Sequence, residues 1–210
     1  MLKQGIIIVA CIGLVSCAKS TLNYTPPSNN KITNSIELSE SFDNVWKKLV
    51  RKLSSDFFVI NNIEKESNII NVSFSVNRPS DFVDCGISTR EFSNARGKNN
   101  YNYNPADPAN YTMTNGQGEV FNVNRFSSLE GVANIYIADE GNKTIVSVNA
   151  RYIIKGGAKY FNVYNQPAGQ SDWTFNLSTN QPYSDVSSKD SVVCVSKGVI
   201  ESKILEYVKA

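Results

Sequence analysis

Histidine is absent from the 210 residues of this chain, and only four cysteines and two tryptophans are present. Without histidine, Ser-His-Asp and Cys-His nucleophilic sites and histidine-based zinc sites are excluded. There is no Cys-x-x-Cys pair, and the acidic turn at residues 139–142 lacks the spaced Asp/Asn ligands and the distal Glu of a calcium loop. The sequence therefore predicts no metal site, no cofactor and no catalytic residue of these kinds.

An excess of charge of one sign is also lacking. Lys and Arg total 21 and Asp and Glu total 19, so nothing in the charge balance indicates a nucleic-acid partner. Hydrophobic residues make up 41% of the chain and include ten Tyr and ten Phe. This content is sufficient for a packed core, and the length predicts one domain of ordinary size.

The most apolar run, residues 5–15, is too short to span a membrane. It follows Lys3 and has about half of the roughly 20 residues that a spanning helix needs, so residues 1–16 are predicted to be an export signal. The run ends in Leu14-Val15-Ser16-Cys17, which resembles the lipobox of bacterial lipoproteins. The resemblance implies that the signal is cleaved before Cys17 and that the Cys17 thiol carries diacylglycerol.

The residue after the lipobox cysteine bears on the destination of the chain. In the lipoprotein family an Asp at this position retains the protein in the inner membrane, and this chain has Ala18. The resemblance therefore implies anchorage in the outer membrane, and several acyl chains give lasting attachment where one does not. The alternative is an ordinary signal peptide with an accidental cysteine, such as Cys11 within the same run.

Two polar segments lack the periodicity of helices or strands. Residues 18–30, rich in Ser, Thr, Asn and Pro, are predicted to form a flexible tether before a domain spanning residues 31–210. Residues 88–118, dominated by Asn, Gly, Pro and Ser, are predicted to be a long loop. Within this loop Tyr101, Tyr103 and Tyr111 are candidate contact residues for a sugar or a partner. The alternative is that their rings fold back on the domain.

Apolar periodicity predicts two helices and several strands. One helix covers Ser41–Leu53, and the other follows Ser196 with Ile200, Ile204, Leu205 and Val208 on one face. The strands are predicted at residues 31–38, 57–63, 69–76, 131–138, 143–154, 159–164, 173–177 and 192–195. We expect a single α+β domain in which helices pack on one face of an antiparallel sheet.

One stretch of this pattern resembles a known family. SFDNVWKKLVRKLSSDFFVINNIEKESNIINVSFS, from Ser41, is similar to the opening of BamC-like helix-grip modules of envelope lipoproteins. Those modules often run Phe-Asp-x-x-Trp, helix, strand, an acidic-Lys turn and a second strand. The resemblance implies a helix-grip arrangement, from which the insert at residues 88–118 departs.

The number of cysteines left after the lipobox assignment predicts one disulfide. With Cys11 in the signal and Cys17 lipidated, only Cys85 and Cys194 remain, and two cysteines allow a single pairing. An oxidising compartment outside the cytoplasm would join them. The alternative is a reactive thiol or metal ligand at Cys85, next to Asp84.

Three functional hypotheses follow. The favoured one is a lipid-anchored, non-catalytic interaction or assembly module whose partner is another envelope protein. The second is a carrier of an apolar ligand beneath the C-terminal helix. The third is a hydrolase of envelope glycans that uses two carboxylates about 5–9.5 Å apart. Its candidate pairs are Glu119 with Glu130 and Asp84 with Glu91.

Overall fold

The computed structural model describes residues 18–28, 31–184 and 191–209, so the predicted signal peptide and Cys17 lie outside the described residues. These residues form two helices, α1 Phe42–Leu53 and α2 Val199–Lys209. They also form thirteen strands: β1 Lys19–Thr25, β2 Ser35–Leu38, β3 Val59–Glu64, β4 Ile69–Val76, β5 Val83–Asp84, β6 Ile87–Asn94, β7 Gly97–Tyr103, β8 Ala109–Thr114, β9 Val120–Asp139, β10 Thr144–Phe161, β11 Pro167–Ser178, β12 Tyr183–Ser184 and β13 Val193–Ser196.

The strands make three antiparallel sheets, so the predicted α+β class with antiparallel pairing is confirmed and the prediction of a single sheet is wrong. The largest sheet has the order β11-β10-β9-β4-β3, with β2 paired to β10 and β8 paired to β9. A second sheet has the order β1-β6-β7, and a third, of short strands, has the order β12-β13-β5. The many polar strands explain why this chain is more β-rich than its apolar pattern predicts.

A long hairpin of β9 and β10 runs through the largest sheet. Its pairing extends from Asp139 opposite Thr144 to Asn122 opposite Phe161. The predicted turn between them is present, because the Glu140 amide donates to the Lys143 carbonyl (2.9 Å). The half near the turn pairs with β4 and β2, and the far half pairs with β8 and most of β11. One hairpin therefore supports two parts of the molecule.

The near half of the hairpin supports the main core. The predicted inward face of β10 is confirmed, since all five of its residues are buried: Val146, Val148, Ala150, Tyr152 and Ile154. Apolar residues of both helices join the same cluster. Within it, the Tyr152 hydroxyl donates to Oε2 of Glu201, a fully buried residue of α2 (2.8 Å). This hydrogen bond fixes the position of α2 along β10, because an unpaired buried carboxylate is costly.

The tether predicted for residues 18–30 is wrong over Lys19–Thr25, which form β1 and pair with β6. Ser20, Leu22 and Tyr24 point towards the domain in strand alternation. The Tyr24 hydroxyl accepts from the Val193 amide (2.9 Å) and lies 3.1 Å from the Cys85 carbonyl oxygen. Only two of these three inward residues are apolar or aromatic, so the sequence shows little of the period of two.

The loop predicted for residues 88–118 is also wrong, because the segment forms most of β6 and all of β7 and β8. Three of its asparagines lie at the ends of strands, and the others lie within strands. The side-chain oxygens of Asn94, Asn104 and Asn115 each accept a hydrogen bond from the amide two residues later, at 2.8, 2.9 and 3.0 Å. Such Asx turns are a standard use of asparagine. The strands escaped detection because polar side chains lie on both faces.

The predicted disulfide between Cys85 and Cys194 is formed, and both residues are fully buried. Cys85 lies between β5 and β6, and Cys194 lies in β13, which pairs with β5. The bridge therefore links the segment between β5 and β6 to the strand that precedes α2.

Replacing both bridged cysteines by alanine is expected to lower the free energy of unfolding by about 4–5 kcal/mol. The bridge closes a loop of 109 residues, and its loss restores conformational entropy to the unfolded chain. Urea denaturation of the oxidised protein and of Cys85→Ala/Cys194→Ala measures the difference. The reduced wild-type protein should match the double variant, and a loss below about 1 kcal/mol would contradict the expectation.

Gly131 of β9 has no side chain, and this leaves room for an aromatic cluster. Phe74 of β4 packs edge-on against Phe58 and Tyr152, with ring centroids 6.1 and 5.9 Å apart. Its ring lies directly over Gly131, where a Cβ atom would overlap the ring atoms. The glycine is therefore part of the packing of the core.

Gly131→Ala is expected to reduce the free energy of unfolding by about 1–3 kcal/mol, because the added methyl group must displace the Phe74 ring. Gly116→Ala is the matched control, since nothing lies within 4 Å of its Cβ position. Urea denaturation of both variants makes the comparison. Equal stability of the two variants would show that the core adjusts without strain.

Candidate functional site

A cavity of about 330 Å³ lies between the β1-β6-β7 sheet and the far half of the long hairpin. The inward face that carries the main core near the turn continues here as Val123 and Arg125 of β9 and Ala158 and Tyr160 of β10. The helices do not reach this end, and the small sheet covers it instead. The lining includes two arginines and six aromatic residues: Arg90, Arg125, Tyr24, Tyr103, Tyr111, Tyr160, Trp173 and Phe175.

Arg90 of β6 points inward between Ser88 and Phe92 and is only 9% exposed. One terminal nitrogen, Nη1, donates to the Ser20 hydroxyl (3.2 Å), and the guanidinium carbon lies 4.7 Å from the centre of the Tyr111 ring. The Nε atom is buried without a hydrogen-bond partner. The positive charge of Arg90 is therefore stabilised mainly by its contact with the face of the Tyr111 ring.

Arg125 of β9 reaches the cavity from the other side. Its Nη2 donates to the Pro105 carbonyl (2.7 Å), and its guanidinium carbon lies 4.1 Å from the centre of the Trp173 ring. Its Nε also lacks a partner. Within residues 18–28, 31–184 and 191–209, neither Arg125 nor Arg90 forms an ion pair. Cation–π contacts offset only part of the desolvation of two such charges.

The structure places the three predicted tyrosines together. The rings of Tyr103 and Tyr111 are stacked with centroids 5.2 Å apart, and Tyr101 packs 6.4 Å from Tyr111. Tyr103 and Tyr111 line the cavity, whereas Tyr101 lies beside it. Tyr111 is 7% exposed, so the rings fold back on the domain as the alternative expected. Burial raises the pKa of Tyr111 to about 12, which keeps this phenol neutral.

Sequence reasoning missed Arg90, Arg125 and Trp173. Trp173 of β11 lies over Gly156 of the neighbouring β10, where a side chain would collide with the indole ring. Its Nε1 is buried without a partner. The signal that could have identified each arginine was its inward position in a strand of alternating side chains. Sequence analysis placed Arg90 in a predicted loop and Arg125 outside every predicted strand, so this alternation was not recognised.

Each of the four carboxylates proposed for a hydrolase already has a hydrogen-bond or ion-pair partner. Glu119 precedes β9 and accepts from Asn115 (2.6 Å), whereas Glu130 lies within the same strand and pairs with Lys155 (2.8 Å). At about 3.3 Å per residue, the two glutamates are roughly 30 Å or more apart. In the other pair, Asp84 accepts from the Gly86 amide (2.8 Å) and Glu91 forms an ion pair with Lys98.

The opposite face of the largest sheet is open and carries a shallow groove of about 660 Å³. Ser73 and Ser75 of β4 form its floor, because they are small and lie between larger residues on both neighbouring strands. Its apolar walls include Phe57, Val59 and Val132, which are 43%, 61% and 38% exposed. Glu130 and Arg151 provide a charge of each sign at the groove.

A row of asparagines crosses the same face beside the groove. Asn61 of β3 donates to Asn71 of β4 (2.7 Å), and Asn71 donates in turn to Asn134 of β9. At the end of the row, Asn149 of β10 lies directly opposite Asn134 and accepts a hydrogen bond from Asn34 (3.0 Å). Such cross-strand pairs specify register, so the open face is ordered without a covering layer.

Comparison with protein-family models, with curated proteins and with solved structures finds no match to this chain. Throughout the described part of the chain, no group of three or more Cys, Asp or Glu could hold a metal ion. No helix in this part is both long and apolar enough to cross a membrane. The geometry on its own defines a mostly β protein with an aromatic, cationic cavity and an open sheet face.

Arg90→Met is expected to leave the free energy of unfolding unchanged or to raise it by up to about 2 kcal/mol, because an unpaired buried charge is replaced by an apolar chain. Arg96→Met removes an exposed arginine and should change stability by less than about 0.5 kcal/mol. Urea denaturation without added ligands tests both variants. A loss above about 1 kcal/mol in Arg90→Met alone would mean that its contacts with Ser20 and Tyr111 stabilise the fold.

Proposed function

We propose that this chain is a bacterial outer-membrane lipoprotein, anchored through Cys17, whose domain is a non-catalytic interaction module of the cell envelope. The lipobox resemblance at Leu14-Val15-Ser16-Cys17 supports the anchor and the location. The disulfide between Cys85 and Cys194 is consistent with an oxidising compartment outside the cytoplasm. Under this proposal the membrane is one partner, through the lipid, and an envelope protein is the other.

The position of β1 changes how the domain would sit on the membrane. β1 begins at Lys19, two residues after Cys17, and two extended residues span only about 7 Å. The folded domain would therefore be held against the lipid surface without a spacer. The end of the sheet nearest the anchor carries Lys19 and Arg96, which are exposed and form no ion pair among the described residues: Lys19 pairs with Ser93, and Arg96 lies in the turn between β6 and β7. A cationic edge suits anionic head groups.

The open sheet face is the observation that carries the role as an interaction module. Large apolar side chains are exposed on it around the groove, and contiguous exposed apolar surface is characteristic of binding sites. The occupant that we favour is a protein segment, because apolar walls next to Glu130 and Arg151 suit alternating apolar and charged side chains. The asparagine row gives this face its fixed shape.

The finer fold assignment is part of the same proposal. The order α1, β3, polar turn and β4 follows the stretch that resembles BamC-like helix-grip modules, and α2 packs against β10 at the other end of the chain. These features support a helix-grip arrangement in which β6, β7 and β8 are an insertion. The insertion would then supply half of the cavity described above.

The alternative of an apolar-ligand carrier receives less support. A ligand beneath α2 would need space that the main core occupies with Tyr152, Ile200 and Ile204, all fully buried. A carboxylate-dependent hydrolase is also less favoured, because its candidate glutamates are separated along one strand. The interaction module therefore remains the better explanation of the exposed surface.

A photo-crosslinking residue at Val132, in the groove, is expected to capture one envelope protein in cells, whereas the same residue at Lys47, on the exposed side of α1, is not. The capture should be lost when Val59→Glu places a charge in the groove. Mass spectrometry identifies the captured protein. Capture that persists in Val59→Glu, or that is equal from Lys47, would rule out the groove.

The anchor has an independent test. Metabolic labelling with an alkyne fatty acid should mark the wild-type chain and not Cys17→Ser, while Cys85→Ala/Cys194→Ala should still be labelled. An unlabelled wild-type chain, or a mature N-terminus other than Cys17 by mass spectrometry, would overturn the lipoprotein assignment without affecting the groove.

A further inference from the structure

The cavity at the far end of the hairpin contains two positive charges and no negative one. Its described lining includes Arg90 and Arg125 and neither Asp nor Glu. Two guanidinium groups that face one small, partly desolvated space repel each other, and an anion between them would relieve both charges. The electrostatics of the cavity therefore select an anionic ligand.

The hydrogen bonds already made by the arginines leave one terminal nitrogen of each for a ligand. Arg90 uses Nη1 for Ser20 and its Nε is buried, so the donor left for a ligand is Nη2. Arg125 uses Nη2 for Pro105 and its Nε is also buried, which leaves Nη1. One N–H donor from each arginine can bond one oxygen of a carboxylate. The contacts with Tyr111 and Trp173 hold both guanidinium planes in place before any ligand arrives.

The other residues that line the cavity suit a ligand with a ring that carries polar substituents. Tyr103, Tyr111 and Tyr160 bring phenol groups to the cavity, and the Trp173 ring adds aromatic surface. A wall that combines aromatic surface with hydroxyl groups can contact the faces of a ring and also bond to its substituents. A volume of about 330 Å³ is at the lower end for ligand pockets, so one ring fits better than a chain of rings.

We infer that this cavity binds an acidic monosaccharide, with its carboxylate held between Arg90 and Arg125 and its ring hydroxyls bonded to the surrounding phenol groups. The site is separate from the open-face groove and does not depend on the lipid anchor. Binding involves no covalent step. It supplies the counter-charge that the described chain lacks.

Calorimetric titration of the purified full chain in detergent with glucuronate tests the inference. We expect saturable binding at low ionic strength that weakens with added salt. Arg90→Met and Arg125→Met should each weaken it at least tenfold, whereas Arg96→Met, at an exposed position, should leave it unchanged. Circular dichroism confirms that the variants remain folded. Glucuronate should also raise the melting temperature of the wild type and not that of Arg90→Met.

Three related compounds separate the parts of the ligand. Glucose lacks the carboxylate and should bind at least tenfold more weakly than glucuronate. Glucose 6-phosphate replaces the carboxylate by phosphate, and benzoate keeps the carboxylate but lacks the ring hydroxyls; both should bind more weakly than glucuronate.

Different results would overturn the inference in distinguishable ways. Equal affinity for glucose would remove the role of the two arginines, and tighter binding of glucose 6-phosphate would make the site a phosphate site. Equal affinity for benzoate would remove the sugar assignment. Failure to bind glucuronate, or binding that survives both arginine substitutions, would show that the cavity is not its site.

Discussion

The continuous pairing of β9 with β10 is the constraint on which the other features depend. Because side chains alternate along each strand, one register decides which residues of both strands point inward over the whole length of the hairpin. Near the turn the inward face is apolar and is covered by the helices. Farther along it contains Arg125, and the small β1-β6-β7 sheet covers it. The hairpin thus joins a stable core to a polar cavity within one sheet.

The two halves differ in what holds them together. The main core has a large apolar cluster, a buried hydrogen bond between Tyr152 and Glu201, and the disulfide nearby. The cavity half has a small cluster around Tyr111, Val123 and Ala158, together with the buried Arg90 and the partly buried Arg125, both in contact with aromatic rings. A site that keeps unpaired charges needs support from elsewhere in the fold. The core half provides it, and Tyr24 connects β1 to the backbone on both sides of the bridge.

The proposed roles use opposite faces of the sheet. The groove lies on the open face, which the asparagine row keeps in register, and the cavity lies on the inward face under the small sheet. A partner in the groove would therefore not occupy the cavity. Because β1 belongs to the small sheet and begins two residues after Cys17, a lipid at that cysteine would place the cavity end of the molecule closest to the membrane.

The amino-acid sequence by itself determined the two helices, the α1-β3-β4 unit, the inward face of β10 and the pairing of Cys85 with Cys194. Each of these depends on local periodicity or on the number of cysteines, which needs no knowledge of distant neighbours. Only the tertiary structure decided that residues 19–25 and 88–114 contain strands, because their side chains are polar on both faces. In addition, β1 pairs with β6, which lies far along the chain. The same holds for the cavity. Arg90 and Arg125 are 35 residues apart and belong to different sheets, so their meeting depends on how those sheets pack and leaves no periodic signal in the sequence.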